Sequence, residues 1–297
     1  MSRPVPTLLA ALLATGLVAP LLAGCSALGG ERSRDDDGRF SVVASFYPLQ
    51  YVAQRIAGPH ARVDNLTPPG KEPHDVELSV AQTAELSDAD VVVYEKGFQP
   101  PVDQAVEQNP PGHAVDAAAS AHLSGDDPHF WLDPTRLAAV AAAVEKQLVA
   151  AEPAHASTFE RNAAALQHDL TGLDRAFRTG LASCRIHTLV ASHDAFGYLG
   201  RRYGLEVVGI NGLSPDAEPS PAHVRQLQDL IRSDAITTVF SEELASPRLA
   251  DSLAGDLGLR TAVLDPIEGL GPATAHEDYL SLMRRNLDAL RKADDCS

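Results

Sequence analysis

Residues 186–210 read IHTLVASHDAFGYLGRRYGLEVVGI, and the plan of the whole chain is compressed into them. Ile186 to Ser192 is a short apolar run of the kind that forms a buried strand. Phe196 to Tyr203 has helical character, and Leu205 to Ile210 is a second buried strand. Strand, helix and strand at this spacing make a parallel βαβ unit. His193-Asp194 follows the first strand directly, and in parallel α/β sheets ligands collect at the carboxyl ends of strands.

The same alternation extends both ways. Downstream come a helix from Pro221 to Arg232, a strand from Ile236 to Phe240, a helix from Pro247 to Leu257 and a strand from Thr261 to Leu264. A closing helix from Glu277 to Arg291 sets Leu280, Met283, Leu287 and Leu290 on one face. Upstream, Phe40 to Ser45, Arg62 to Leu66 and Val91 to Tyr94 read as strands, with helices from Leu49 to Ala57 and from Ser79 to Leu86. The turn Thr67-Pro68-Pro69-Gly70 delivers His74. Between the halves, Asp133-Pro134 opens a helix with Asp as N-cap and Pro at its first position. Phe159, Leu166, Leu170, Leu173, Phe177 and Leu181 then share a stripe over about Pro153 to Ala182, a helix of about 45 Å at 1.5 Å per residue. Gly172 or Gly180 would break it in two if the stripe served two short core helices. The expected fold class is α/β, two lobes with parallel sheets joined by one long rigid connecting helix, with a ligand site in the cleft. The expected boundaries are residues 40–152 for the first lobe, 153–183 for the connector and 184–297 for the second lobe.

Residues 1–24 are expected to be an export signal: Met1-Ser2-Arg3 leads into an apolar stretch from Leu8 to Gly24. Leu22-Ala23-Gly24-Cys25 resembles the lipobox of bacterial lipoproteins, in which Cys25 would carry the lipid. Acyl chains there would hold the protein at a membrane surface without spanning it. Residues 25–39, rich in Gly, Ser, Arg and Asp, suit a solvated tether. The formal charge of −16 argues against a nucleic-acid partner. With Cys25 used by the lipid, Cys184 and Cys296 are left for one disulfide in an exported chain; free thiols or a thiolate metal site are the alternatives.

Four residues carry the chemistry. His74 lies beyond the second strand, His129 in a loop before the capped helix, His193 after the strand from Ile186, and Asp265 after the strand from Thr261. Each half supplies two. Three imidazoles and a carboxylate suit zinc, whereas manganese and iron take more oxygen donors. A filled tetrahedron leaves no open position for catalytic water, which favours a carrier over a hydrolase. Glu242 is the rival carboxylate and Glu72 a weaker one, while Asp75 and Asp194 are placed to orient neighbouring imidazoles. His113 and His122 flank the loop before His129 as auxiliary contacts at most. A secreted zinc hydrolase using Glu242 as base is the competing reading, and a surface adhesin a third.

Pro73-His74-Asp75, residues 127–134 (DPHFWLDP), residues 193–198 (HDAFGY), Phe240-Ser241-Glu242 and Leu264-Asp265-Pro266 together resemble the metal-binding solute-binding proteins that serve ABC importers of zinc and manganese. The resemblance runs from Ser45-Phe46-Tyr47-Pro48 to the terminal helix. It implies His74, His129, His193 and Asp265 as ligands, zinc as cargo because His193 stands where a Glu would resemble the manganese type, an ABC permease as partner, and a monomer. The family's long loop dense in His before the second histidine is short here, from Gly112 to Asp127, and Glu243 stands where the family commonly has Pro.

Overall fold

The computed structural model describes residues 40–123 and 125–297; the export signal, Cys25 and the tether lie outside them. The first sheet is built from β1 (Phe40–Ala44), β2 (Ala61–Asn65), β3 (Val91–Tyr94) and β4 (Ala114–Asp116) in the order β2-β1-β3-β4, all parallel. Helices α1 (Tyr47–Ala57), α2 (Val80–Asp88) and α3 (Pro100–Gln108) alternate with these strands, and α4 (Ala117–Ser120) follows directly on the last. The strands β1 and β3 are buried throughout or nearly so, as central strands of a sheet covered on both faces must be. The β4 and α3 pair has no counterpart among the expected elements. Its strand is three residues long, too short for an alternation to stand out.

α5 (Pro134–Ala151) starts as expected, with the Asp133 side chain accepting the Thr135 amide and Pro134 at the first position. After a single 3-10 turn at Pro153–His155, α6 runs unbroken from Ala156 to Gly180. Gly172 lies inside it with open space where a side chain would be, so it breaks nothing. Gly180 is instead where α6 meets the closing helix: a Cβ there would stand 3.0 Å from Leu287 Cδ1. The second sheet repeats the plan with β5 (Thr188–Ala191), β6 (Glu206–Gly209), β7 (Thr238–Ser241) and β8 (Arg260–Val263) in the order β6-β5-β7-β8. Its helices are α7 (Gly197–Tyr203), α8 (Pro221–Ser233), α9 (Arg248–Leu257) and α10 (Tyr279–Ala293). These strands are shorter than the apolar runs that announced them, because Ile186 and Ile210 belong to the core beyond the ladder ends.

One hydrophobic cluster joins both sheets. It contains Val42 and Val93 from the first, Leu166, Leu170 and Phe177 from α6, and Leu189, Phe240 and Met283 from the second half. Two polar bonds reinforce the joint: Trp131 Nε1 donates to Pro266 O at 2.7 Å, and Tyr279 Oη donates to Trp131 O at 2.6 Å. The residues on either side of the cleft therefore share a close-packed interior. Cys184 and Cys296 form a disulfide, 112 residues apart in sequence, which ties the end of α10 to the start of the second half. Among the described residues, no helix is long and apolar enough to cross a membrane.

Candidate metal centre

The loops at the carboxyl ends of the strands meet in the cleft. His74 stands on a 3-10 turn, Pro73–Asp75, in the segment after β2. His129 immediately precedes another such turn, Phe130–Leu132, which packs its three apolar side chains fully into the core. His193 follows β5, where the backbone is pressed against β6: a Cβ on Gly209 would lie 2.6 Å from the Asp194 amide. Only glycine allows that approach.

These three imidazoles converge on Glu268. Its Oε1 lies 2.9 Å from His129 Nε2, 3.2 Å from His74 Nε2 and 3.5 Å from His193 Nε2, and the two Nε2 atoms of His129 and His193 are 3.3 Å apart. Tetrahedral zinc with donors about 2.1 Å away sets them roughly 3.4 Å from one another. These four spacings, 2.9 to 3.5 Å, lie near that figure. His129, His193 and Glu268 are fully buried, and the His74 side chain, 12% exposed, is the one that meets solvent. Glu268 Oε2 is buried without a hydrogen-bond partner, an expense a protein tolerates where a ligand supplies the partner.

Carboxylates behind the imidazoles fix their orientation. Asp127 Oδ1 lies 3.0 Å from His129 Nδ1 and accepts the His129 backbone N–H at 3.0 Å. Glu242 Oε1 lies 2.7 Å from His193 Nδ1, off the direction of the ring N–H, and accepts the His193 backbone N–H at 3.0 Å. With Nδ1 facing a carboxylate, each ring is set to offer Nε2 to a metal once that nitrogen has given up its proton. Burial alone would lower the His193 pKa, but Glu242 and Glu268 hold it up at about 10; His129 is likewise raised by Asp127 and Glu268 against its burial. Glu268 is kept well below the usual carboxylate range by the three histidines, which overcome its burial. Replacing Asp127 by Asn or Glu242 by Gln is expected to weaken zinc binding about 10- to 100-fold while leaving one site per chain. Competition against a fluorescent chelator measures it, and unchanged affinity in both variants would show that the imidazoles need no such support.

The cluster that the structure assembles differs from the expected ligand set at one position. Asp265 stays out of the cluster: its Oδ1 accepts the Ile267 amide at 2.8 Å, closing a turn in which Ile267 takes φ 59°. Burial raises its pKa to about 7, against the pull of that amide. The turn carries the chain three residues further and swings Glu268 into the centre. Glu242, the rival, lies behind His193; Glu72, the weaker one, is half-buried beside Glu268, its pKa pushed up to about 9 by desolvation and by that neighbour. Asp127 and Glu242 take the orienting role assigned to Asp75 and Asp194. His113 Nδ1 instead pairs with Gln147 at 3.2 Å, and neither it nor His122 joins the cluster. Glu268 had a signal of its own, a lone carboxylate between Ile267 and Gly269-Leu270 just past the last strand.

Residues 42–293 match the family described as ZnuA, "Zinc-uptake complex component A periplasmic". The chain is 34% identical over 308 residues to the zinc-binding lipoprotein AdcA of Streptococcus pneumoniae serotype 4, an alignment spanning 96% of this chain and 60% of AdcA. It therefore covers less than two thirds of that relative. Against the high-affinity zinc uptake system protein ZnuA of Bacillus subtilis it is 32% identical over 299 residues, 91% of this chain and 93% of that one. The crystal structure of the Zn(II)-bound ZnuA-like domain of Streptococcus pneumoniae AdcA superposes with a TM-score of 0.76 at 36% identity, covering 87% of this chain and all of that domain (100%).

Proposed function

The chain belongs to the ZnuA family of zinc-uptake components, and from that premise we propose that it captures zinc outside the cytoplasmic membrane and delivers it to the permease of an ABC importer. One observation carries the reading: three imidazole nitrogens and one carboxylate oxygen, all within 4.8 Å of one another, on loops from both sheets. The set favours zinc over manganese, which takes more oxygen donors. It also fills the tetrahedron with protein atoms, so zinc here is cargo and no position is left for a hydrolytic water. Glu242, the candidate base of the hydrolase reading, is occupied with His193.

Capture must displace protons. His193, held up at about 10 by Glu242 and Glu268, carries a proton at neutral pH that zinc has to expel. Affinity therefore rises with pH up to the His193 value and falls as the medium is acidified. Calorimetric titration of zinc into metal-free, tag-free protein, in two buffers of different ionisation enthalpy, should give one equivalent and a net release of protons at pH 7. Failure to bind one equivalent would end the proposal, and binding without proton release would contradict the displacement of protons from the histidines.

Attachment to the outer membrane surface rests on Cys25, in keeping with AdcA being named a lipoprotein. Cys25→Ser should move the protein from the membrane fraction to the soluble one. Equal membrane association of both forms would rule the anchor out. Nothing in the site calls for a second copy, and we take the carrier to act as a monomer.

A further inference from the structure

The second sheet ends in an edge strand with an open outer side. β8 lies last in the order β6-β5-β7-β8, and its inward amides at Arg260 and Leu264 donate to Thr237 O at 3.1 Å and Ser241 O at 2.9 Å. Peptide groups alternate sides along a strand, so the N–H and C=O of Thr261 and Val263 point outward. Among the described residues they find no backbone partner there. The next outward residue, Asp265, is closed off by a side chain: its N–H donates to Asn286 Oδ1 at 2.9 Å and its C=O accepts from Asn286 Nδ2 at 2.6 Å. Asn286 imitates the first rung of a neighbouring strand whose next rungs are missing. Val263 is 42% exposed, although large apolar side chains elsewhere on the described surface are nearly all covered.

Beside this edge, between β8 and α10, lies a groove of about 460 Å³. Asp265 forms part of its lining; the residue is only 6% exposed and its Oδ2 is buried without a hydrogen-bond partner. The rest of the charge is mainly positive. Arg260, Arg285 and Lys292 line the groove, with Asp288 as the other carboxylate, on a chain whose formal charge is −16. Arg285 is 3.6 Å from Glu277, a half-exposed pair that leaves the guanidinium accessible. An orphan acceptor inside and cations around it fit a ligand that donates inward and is anionic outward. An extended peptide has N–H donors along its backbone and can carry acidic side chains.

We propose that the β8 and α10 groove receives an extended, acidic segment of a partner protein, which adds to the sheet as a fifth strand. Such strand addition draws affinity from main-chain hydrogen bonds and specificity from side chains. A second copy of this chain fits badly, because pairing β8 with itself would bring two sets of Arg260, Arg285 and Lys292 together. Asp265 is shared with the turn that aims Glu268, but none of His74, His129, His193 and Glu268 lines the groove.

The test uses the isotope-labelled protein and two capped peptides, one alternating Val with Glu and one alternating Val with Lys. The Glu peptide should shift the Thr261 and Val263 amide resonances in a saturable way and slow their hydrogen exchange, and the Lys peptide should do neither. Combining Arg285→Glu with Lys292→Glu should weaken the Glu peptide at least tenfold and admit the Lys peptide, with zinc stoichiometry unchanged. Val263→Pro, which removes an outward N–H with no backbone partner among the described residues, should abolish binding without altering the charge. No response to the Glu peptide, or a response indifferent to the charge reversal, would overturn the proposal. So would a concentration-dependent dimer, seen by sedimentation, that protects the same amides.

Discussion

Glu268→Ala is expected to weaken zinc binding on the order of a hundred- to a thousandfold, and Asp265→Ala far less. The four-ligand zinc sites of small folded domains bind with about 10–16 kcal/mol, so one donor contributes roughly 2.5–4 kcal/mol. Glu268 contributes more than a donor atom here. It is the one anion touching all three imidazoles, and without it a dication would meet three neutral rings in a buried cleft. Asp265 acts at one remove, through the Ile267 amide and the turn that aims Glu268. Its loss should loosen the site by about tenfold, as support residues do, and keep one equivalent of zinc. Chelator competition on both variants decides between the two carboxylates; the reverse ranking would restore Asp265 as the ligand.

Trp131→Ala should be the most damaging substitution away from the ligands. The indole is fully buried against Phe46 and Phe98, with ring centroids 4.9 and 5.9 Å away, and beneath the His129 ring at 5.3 Å. Truncating a buried Trp costs about 3–5 kcal/mol, and the Pro266 carbonyl it leaves unpaired adds roughly 1–3 kcal/mol more. Against a total stability of about 5–15 kcal/mol, that is a large share. The effect should reach the metal as well, because the Nε1 bond to Pro266 holds the segment that carries Glu268. Urea unfolding of the metal-free protein measures the first effect and zinc titration the second. Trp131→Phe, which keeps most of the volume and loses only the N–H, should lose zinc affinity with a smaller stability cost. A loss below about 1 kcal/mol for Trp131→Ala would contradict the role given to this joint.

The parallel sheets, the capped helix at Asp133 and the long connector were legible because each rests on local pattern: apolar runs between helices, Asp-Pro at a helix start, and a continuous stripe from Phe159 to Leu181. Strands at the edges were harder. β4 is short, and all four residues of β8 are partly or fully exposed, so neither obeys the pattern of a buried strand, although the run Thr261 to Leu264 placed β8 to within one residue. The three histidines that the structure gathers stood out for a similar reason, since each lies in a loop next to an element that fixes where it points. The carboxylate was not, because its place depends on a turn. Asp265-Pro266 looks like the site when the chain is assumed to run straight out of β8, and the bond from Ile267 to Asp265 bends it. Likewise the partners of His129 and His193 come from two residues upstream and from the neighbouring strand β7, so adjacency in sequence pointed to Asp75 and Asp194 instead.

The central claim is that one zinc ion is held by His74, His129, His193 and Glu268. A crystal of the zinc-loaded protein, measured at the zinc absorption edge, tests it directly. The account predicts a single strong anomalous peak about 2.0–2.2 Å from the three Nε2 atoms and a Glu268 carboxylate oxygen. A peak coordinated by Asp265, or one whose fourth position is a water with Glu268 turned away, would contradict it.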